Sequence, residues 1–197
     1  MKKPELIIIL LAKRRFNIDT LKPKIIIIEG QDRVGKTTLI KELRKNIKNY
    51  KQLSISYSSP PKVDDYHIWF KNHYTKSTEL FINLLDKNWT VILDRFYIGE
   101  TVYGPLFRNT DTDYIWEIDK KFENNSSVWL ITITDYTNKL MSRDDGLSNE
   151  KTSVDHENVR ARFIGSHNKS SITNKLFINV SDDGWPNHSE ILKLIYS

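Results

Sequence analysis

No cysteine occurs in the 197 residues, which excludes disulfides, thiolate metal sites and a cysteine nucleophile. A membrane-length apolar run is missing from the start of the chain as well. The stretch Leu6 to Ala12 follows Lys2 and Lys3 in the manner of a secretion signal, but Lys13, Arg14 and Arg15 close it, and it is too short to cross a bilayer. Residues 6–12 are expected to form an extra strand or short helix on the core, or to belong to an extension preceding the domain. Residues 1–23 are therefore set apart from a single domain over 24–197. His67, His73, His156, His167 and His188 show no ligand spacing, so no metal is assigned to them. There is no internal repeat and no low-complexity linker. What is present, 39% hydrophobic and 28% charged residues, is the composition of an ordinary globular protein large enough for a sheet covered on both faces. The net charge of +5 suits contact with small polyanions, and a solvated lysine surface accounts for it better than a nucleic-acid groove does. Neither nucleic acid nor a membrane is expected as a partner.

Against these absences stands one motif in its proper setting. An apolar strand, Ile25 to Ile28, runs into Gly30-x-x-x-x-Gly35-Lys36-Thr37 and then into a helix carrying Leu39, Ile40, Leu43 and Ile47. The physics of phosphate binding needs all three parts: a buried strand for rigidity, glycines where backbone N–H groups curl around oxygens, and a helix N-terminus aimed at the anion. Gly30, Gln31, Asp32, Arg33, Val34, Gly35, Lys36, Thr37 and Thr38 make up the expected ATP-binding loop. Lys36 reaches the β- and γ-phosphates, and the Thr37 hydroxyl sits on Mg²⁺. ATP and Mg²⁺ are accordingly the expected cofactors, and the cytoplasm, where the triphosphate is, the expected compartment (the host's, if the chain is viral).

From Lys24 onward strands and helices alternate, the signature of a parallel sheet wrapped by helices. Strands are predicted over 25–28, 53–57, 90–93, 128–134 and 176–180. Helices are predicted over 37–49, 68–85, 115–123, from 136 to 142, 154–167 and 189–196. In the second helix Trp69, Leu80, Phe81, Leu84 and Leu85 are predicted to form the apolar side. The fold class is α/β, a five-stranded parallel sheet of the P-loop NTPase type with a short lid.

A second site is expected where the third strand ends in Asp94-Arg95, because ligands gather outside the carboxyl ends of parallel strands. Asp94 can hold Mg²⁺ through a water, and Arg95 can face a second phosphate. Phe96, Tyr97, Gly99, Glu100, Tyr103 and Gly104 follow, offering aromatic faces for a base and glycines that let it approach.

Glu29-Gly30 with Asp32-Arg33 and Gly35-Lys36-Thr37-Thr38, followed by Asp94-Arg95-Phe96 and Tyr103, resembles thymidylate kinase and related deoxynucleoside monophosphate kinases, particularly divergent phage versions. The resemblance covers the order of elements over 24–197, with its specific motifs at 29–38 and 94–104. It implies a kinase that passes the γ-phosphate of ATP to a deoxynucleoside monophosphate, dTMP above all, and that forms a homodimer. It further implies that Asp32 meets the acceptor sugar or positions Arg33, that Arg33 bridges donor and acceptor phosphates, that Arg95 binds the acceptor phosphate, and that Tyr103 packs near the sugar and favours deoxy substrates. The family's phenylalanine–proline–arginine segment is replaced by Ser58, Ser59, Pro60, Pro61 and Lys62, of which only Lys62 can reach a phosphate. Its thymine-stacking arginine is replaced around Asn72, His73 and Tyr74, leaving Tyr74 as the candidate beside the base.

The polar segment 142–152 takes the place of the family's lid, with Arg143 the candidate for the phosphates or for stacking on adenine. Arg160 and Arg162 lie two apart on a helix and cannot both face the site. Ser181 to Gly184 stands where such kinases cradle the donor base. The nearest rival is a deoxynucleoside kinase, whose hydroxyl acceptor benefits from a general base. No acid follows the second strand closely, although Glu29 or Asp32 can serve. A GTPase reading lacks its Asn-Lys-x-Asp, since Asn138-Lys139 is followed by Leu140-Met141. A nucleic-acid end kinase and a non-catalytic nucleotide-binding protein complete the alternatives.

Overall fold

Ile25, Ile26, Ile27 and Ile28 expose no surface at all, because successive strand residues point to opposite faces and both faces of this sheet are covered. In the computed structural model, which describes residues 22–47, 51–56, 62–143 and 152–197, Ile25 and Ile27 enter one core and Ile26 and Ile28 another. The strands are β1 (Ile25–Gly30), β2 (Lys51–Ser56), β3 (Trp89–Asp94), β4 (Val128–Thr134) and β5 (Asn174–Asn179). All pair in parallel, in the order β2-β3-β1-β4-β5. This five-stranded α/β sheet is the expected fold class. β1 lies at its centre, with Ile28 in register with Asp94 of β3 and Gly30 with Ile133 of β4. The loop after β1 and the turn after β3 thus leave neighbouring strand ends.

One face is covered by α2 (Tyr66–Asp86) and α4 (Tyr114–Lys120), which bury Phe70, Tyr74, Phe81, Ile115 and Ile118. The other is covered by α1 (Lys36–Asn46) and the closing helix α8 (His188–Ile195), through Leu39, Ile40, Leu43, Ile191 and Ile195. Each such side chain contributes roughly 1.5–3 kcal/mol by leaving water. Between these elements come α3 (Tyr97–Tyr103), a π-helical turn (Gly104–Arg108), α5 (Thr137–Met141), α6 (Ser153–Lys169) and the short α7 (Val180–Asp183). A capping box between Thr152 and Asp155 starts α6, satisfying orphan N–H groups of its first turn. Asn88, Asn109 and Asn124 hold left-handed backbone after α2, the π-helical turn and α4, the role glycine commonly takes at helix ends.

Two expectations are corrected. Leu80, placed on the apolar side of α2, is 51% exposed; Phe81 and Leu85 are buried there as expected, with Phe70 and Tyr74 beside them. The segment after Asp94-Arg95 is not an open base pocket. Phe96, Tyr97 and Ile98 go into the first core, and residues 97–103 are helical. Tyr97 donates from its hydroxyl to Asp119 at 2.8 Å, as does Ser170 at 2.8 Å and Ser171 at 2.6 Å. This buried carboxylate is therefore fully hydrogen-bonded while tying α3 and α4 to the end of α6. Among the described residues no helix is long and apolar enough to cross a membrane. The expectations for residues 6–12, for 57–61 and for most of the lid segment lie outside the described residues.

Candidate active site

The loop after β1 is shaped by two glycines in backbone conformations that disfavour any side chain. A Cβ on Gly30 (φ 138) would lie 1.8 Å from the Ile133 carbonyl oxygen, and one on Gly35 (φ 87) would lie 2.9 Å from the Trp185 ring. Within this curl Lys36, only 6% exposed, donates to the carbonyl oxygens of Gly30, at 3.0 Å, and of Gln31. Its ammonium is 3.9 Å from Asp32. Burial, together with the Arg95 charge, lowers its pKa to about 8 against the opposing pull of Asp32, Asp94 and Glu29. An ammonium so poorly hydrated gains strongly from a phosphate dianion.

Arg33 and Arg95, one from each loop, both hold left-handed backbone (φ 62 and 67), which disfavours a side chain by roughly 1–2 kcal/mol. The strain aims both guanidiniums. Arg33 donates to the Leu140 carbonyl oxygen at 3.2 Å, and Arg95 forms an ion pair with Asp32. Asp94 has the Thr37 hydroxyl at 3.5 Å and the Ser56 hydroxyl at 3.4 Å. Asp32, Arg33, Gly35, Lys36, Thr37, Thr38, Ser56, Asp94, Arg95 and Trp185 line one cleft of about 520 Å³. The hydroxyl and carboxylate oxygens of Thr37 and Asp94 are the hard donors that Mg²⁺ takes alongside phosphate and water. Among the described residues no group of three or more His, Asp or Glu side chains forms another metal-binding cluster.

Beneath the cleft lies Glu29, fully buried. It accepts from the backbone N–H of Phe96 at 2.8 Å and of Gly99 at 3.1 Å. Burial raises its pKa to about 7 in spite of those two bonds and the charges of Arg95 and Lys36. Gly99 is small because Glu29 is there: a Cβ at 99 would meet Glu29 Oε2 at 3.2 Å. Likewise Gly104 admits Glu100, whose carboxylate pairs with Arg108 at 2.5 Å and accepts from Thr110 at 3.3 Å. Both glycines make room for the chain's own carboxylates.

The Gln31 side chain is turned away from the cleft. It accepts from the Asp135 N–H at 2.9 Å and donates to the His156 carbonyl oxygen at 3.2 Å, pegging the phosphate loop to the entries of α5 and α6. Val34 packs in the second core. Asp135 forms an ion pair with Arg143 at 2.9 Å and accepts from the Ser181 N–H at 3.2 Å. Burial opposes its charge, but the bonds from Ser181, the Tyr136 N–H and Arg143 hold its pKa below the usual carboxylate range.

Of the expected site residues, the structure brings together Asp32, Arg33, Gly35, Lys36, Thr37, Thr38, Asp94 and Arg95, with Gly30, Gln31 and Val34 shaping the loop behind them. Tyr103 packs with Phe107 and Phe163, ring centroids at 6.0 and 5.9 Å, and its hydroxyl is close enough to influence Arg95. Arg143 lies with its guanidinium 4.9 Å from the Trp185 ring centroid. Four other expected residues do not line the cleft. Tyr103 and Arg143 adjoin residues that do, Tyr74 is buried among Phe70 and Phe96, a core residue and no wall for a base, and Lys62 is exposed before α2. Arg160 lies over the Tyr136 ring at 4.9 Å. In the turn expected to cradle a donor base, Asp182 accepts from the Tyr136 hydroxyl at 2.9 Å and Asp183 from the Asn179 N–H at 2.8 Å. Sequence reasoning missed Ser56 and Trp185. The available signal for Trp185 was a large aromatic placed directly after a glycine in a polar turn.

No protein-family model matches this sequence, and neither does any protein of curated function. Solved structures do match in fold. The YorR protein of Bacillus subtilis, determined in complex with phosphorylated GDP, is 21% identical over 87% of this chain and 95% of its own, with a TM-score of 0.59. Thymidylate kinase from Candida albicans, described as having broad substrate specificity, is 16% identical over 89% of this chain and 92% of its own, with a TM-score of 0.55.

Proposed function

We propose that the protein is an ATP-dependent nucleotide kinase that transfers the γ-phosphoryl group to a deoxynucleoside monophosphate, with dTMP as the preferred acceptor. The observation that carries this reading is the pairing of two phosphate-facing cations across one cleft: Lys36 in the loop after β1 and Arg95, braced by Asp32, after β3. Phosphoryl transfer demands mainly alignment and positive charge around three equatorial oxygens, and Arg33 stands in the same cleft to supply more of it. Bound at Thr37 and Asp94, Mg²⁺ would neutralise phosphate charge. Arg95 would hold the acceptor phosphate, and Tyr103 behind it would crowd the sugar.

The deoxynucleoside-kinase alternative needs a carboxylate to take a hydroxyl proton. Asp32 is committed to Arg95, and Glu29 is buried under the N–H groups of Phe96 and Gly99. A monophosphate acceptor arrives with its oxygen already ionised and needs no such base. A panel of the four deoxynucleoside monophosphates and the four deoxynucleosides, followed by ADP release, tests the proposal. Turnover is expected with monophosphates only, dTMP fastest; turnover of the unphosphorylated nucleosides alone would overturn it. The guanine nucleotide held by YorR makes dGMP the informative competitor. A homodimer in the cytoplasm completes the proposal, and sedimentation checks the dimer.

A further inference from the structure

Trp185 is 57% exposed, yet it is held at two places. The edge of its six-membered ring, Cε3 and Cζ3, rests against Gly35 of the phosphate loop, and the Arg143 guanidinium lies over the ring at 4.9 Å. Arg143 is itself fixed by Asp135, 2.9 Å away and fully buried, which the Gln31 amide and Ser181 lock in place. The indole also forms the wall shared by the phosphate cleft and a second cavity of about 530 Å³ that contains Ile178, Asn187 and Ile191. A large ring kept half in water beside a polyphosphate cleft loses most of the gain that burial gives an aromatic. Its position is explained if a flat ligand group completes that burial.

We propose that Trp185 is the platform on which the base of the donor nucleoside triphosphate stacks, with Arg143 polarising the indole. This rests on the reading of the loop at 30–37 as the donor site. Stacking accepts any base because every base has a π-face, and the Asp182 and Asp183 carboxylates that could have read base edges are engaged with Tyr136 and the Asn179 N–H. The donor site therefore selects a base attached to a triphosphate and discriminates weakly among bases.

Calorimetric titration of the full-length chain with MgATP, MgGTP and magnesium tripolyphosphate tests this, comparing the wild type with Trp185→Ala, Trp185→Phe and Lys36→Ala. Trp185→Ala is expected to weaken ATP and GTP alike by about 10- to 100-fold and to leave tripolyphosphate unchanged. Trp185→Phe should retain most of the affinity. ATP should quench tryptophan fluorescence in the wild type and not in Trp185→Phe. Unchanged ATP affinity in Trp185→Ala, or equal weakening of ATP and tripolyphosphate, would overturn the platform. A wild type that binds tripolyphosphate through Lys36 but gains nothing from the base overturns the platform alone; a wild type that binds neither overturns the donor site with it.

Discussion

The loop after β1 and the segment after β3 leave adjacent strand ends with the same vocabulary of glycine, arginine and carboxylate, and they use it in opposite ways. In the first, Gly30 and Gly35 hold positive-φ backbone, and Gly35, Lys36, Thr37 and Thr38 line the cleft. In the second, Gly99 and Gly104 accommodate Glu29 and Glu100, and Phe96 and Tyr97 disappear into the core, so that beyond Asp94 only Arg95 reaches the cleft. A binding loop spends its special residues on a ligand, whereas a supporting segment spends them on its own interior. Both are needed, because Arg95 can be aimed only if the backbone behind it is immobilised.

The sharpest way to break the contrast is at the two cations of the first loop. Lys36→Ala should reduce turnover below detection, while Arg33→Ala should lower kcat by about 10²- to 10³-fold, the usual loss when one transition-state donor is removed, with ATP affinity changed little. Steady-state kinetics beside a binding titration separates the two effects. An unchanged kcat in Arg33→Ala would remove that residue from the chemistry and leave it a loop anchor to Leu140.

Next in size is the comparison of glycines. Gly30→Ala places a methyl group into the Ile133 carbonyl and should destabilise the fold by more than about 4 kcal/mol or prevent folding. Gly99→Ala, which approaches a side-chain oxygen at 3.2 Å with ordinary helical backbone, should cost about 1 kcal/mol or less, offset in part by alanine's helix propensity. Urea midpoints measure both. Equal losses would erase the distinction between the two segments.

A more gradual effect, spread over pH, probes what lies under both. The folded state raises the Glu29 pKa to about 7 from 4.5, so it favours the protonated carboxyl. The resulting stability is fully present below pH ~4.5 and is lost progressively as the pH rises through about 7, on the order of 3 kcal/mol in all. Glu29→Gln, an uncharged isostere, should flatten that part of the stability–pH curve. A curve that stays unchanged would mean that Glu29 is not the titrating group.

Much of the first loop was legible in the chain itself, because a fully buried strand such as Ile25–Ile28 and a motif fixed by backbone sterics both leave unambiguous letters. The central strands were legible for the same reason, and the less buried β2 and β5 from short apolar runs bounded by turns, but the lateral order was not legible, since parallel neighbours carry no pairing code. Phe96 and Tyr97 misled because an aromatic near a glycine looks alike whether it faces a base or a core, and Tyr74 misled because it stands near the place of the family's base-stacking arginine yet lies on the buried side of α2. Trp185 was missed because its partners, Gly35 and Arg143, are far from it in the chain and meet it only in three dimensions.

The Gln31 amide couples parts of the molecule that are far apart in the chain. Its oxygen accepts from the Asp135 N–H and its nitrogen donates to the His156 carbonyl oxygen, so one side chain of the phosphate loop fixes both the approach to α5 and the first turn of α6. Asp135 in turn holds Arg143, which lies over Trp185. A shift of the phosphate loop would therefore be passed on to the arginine and the indole through a single amide.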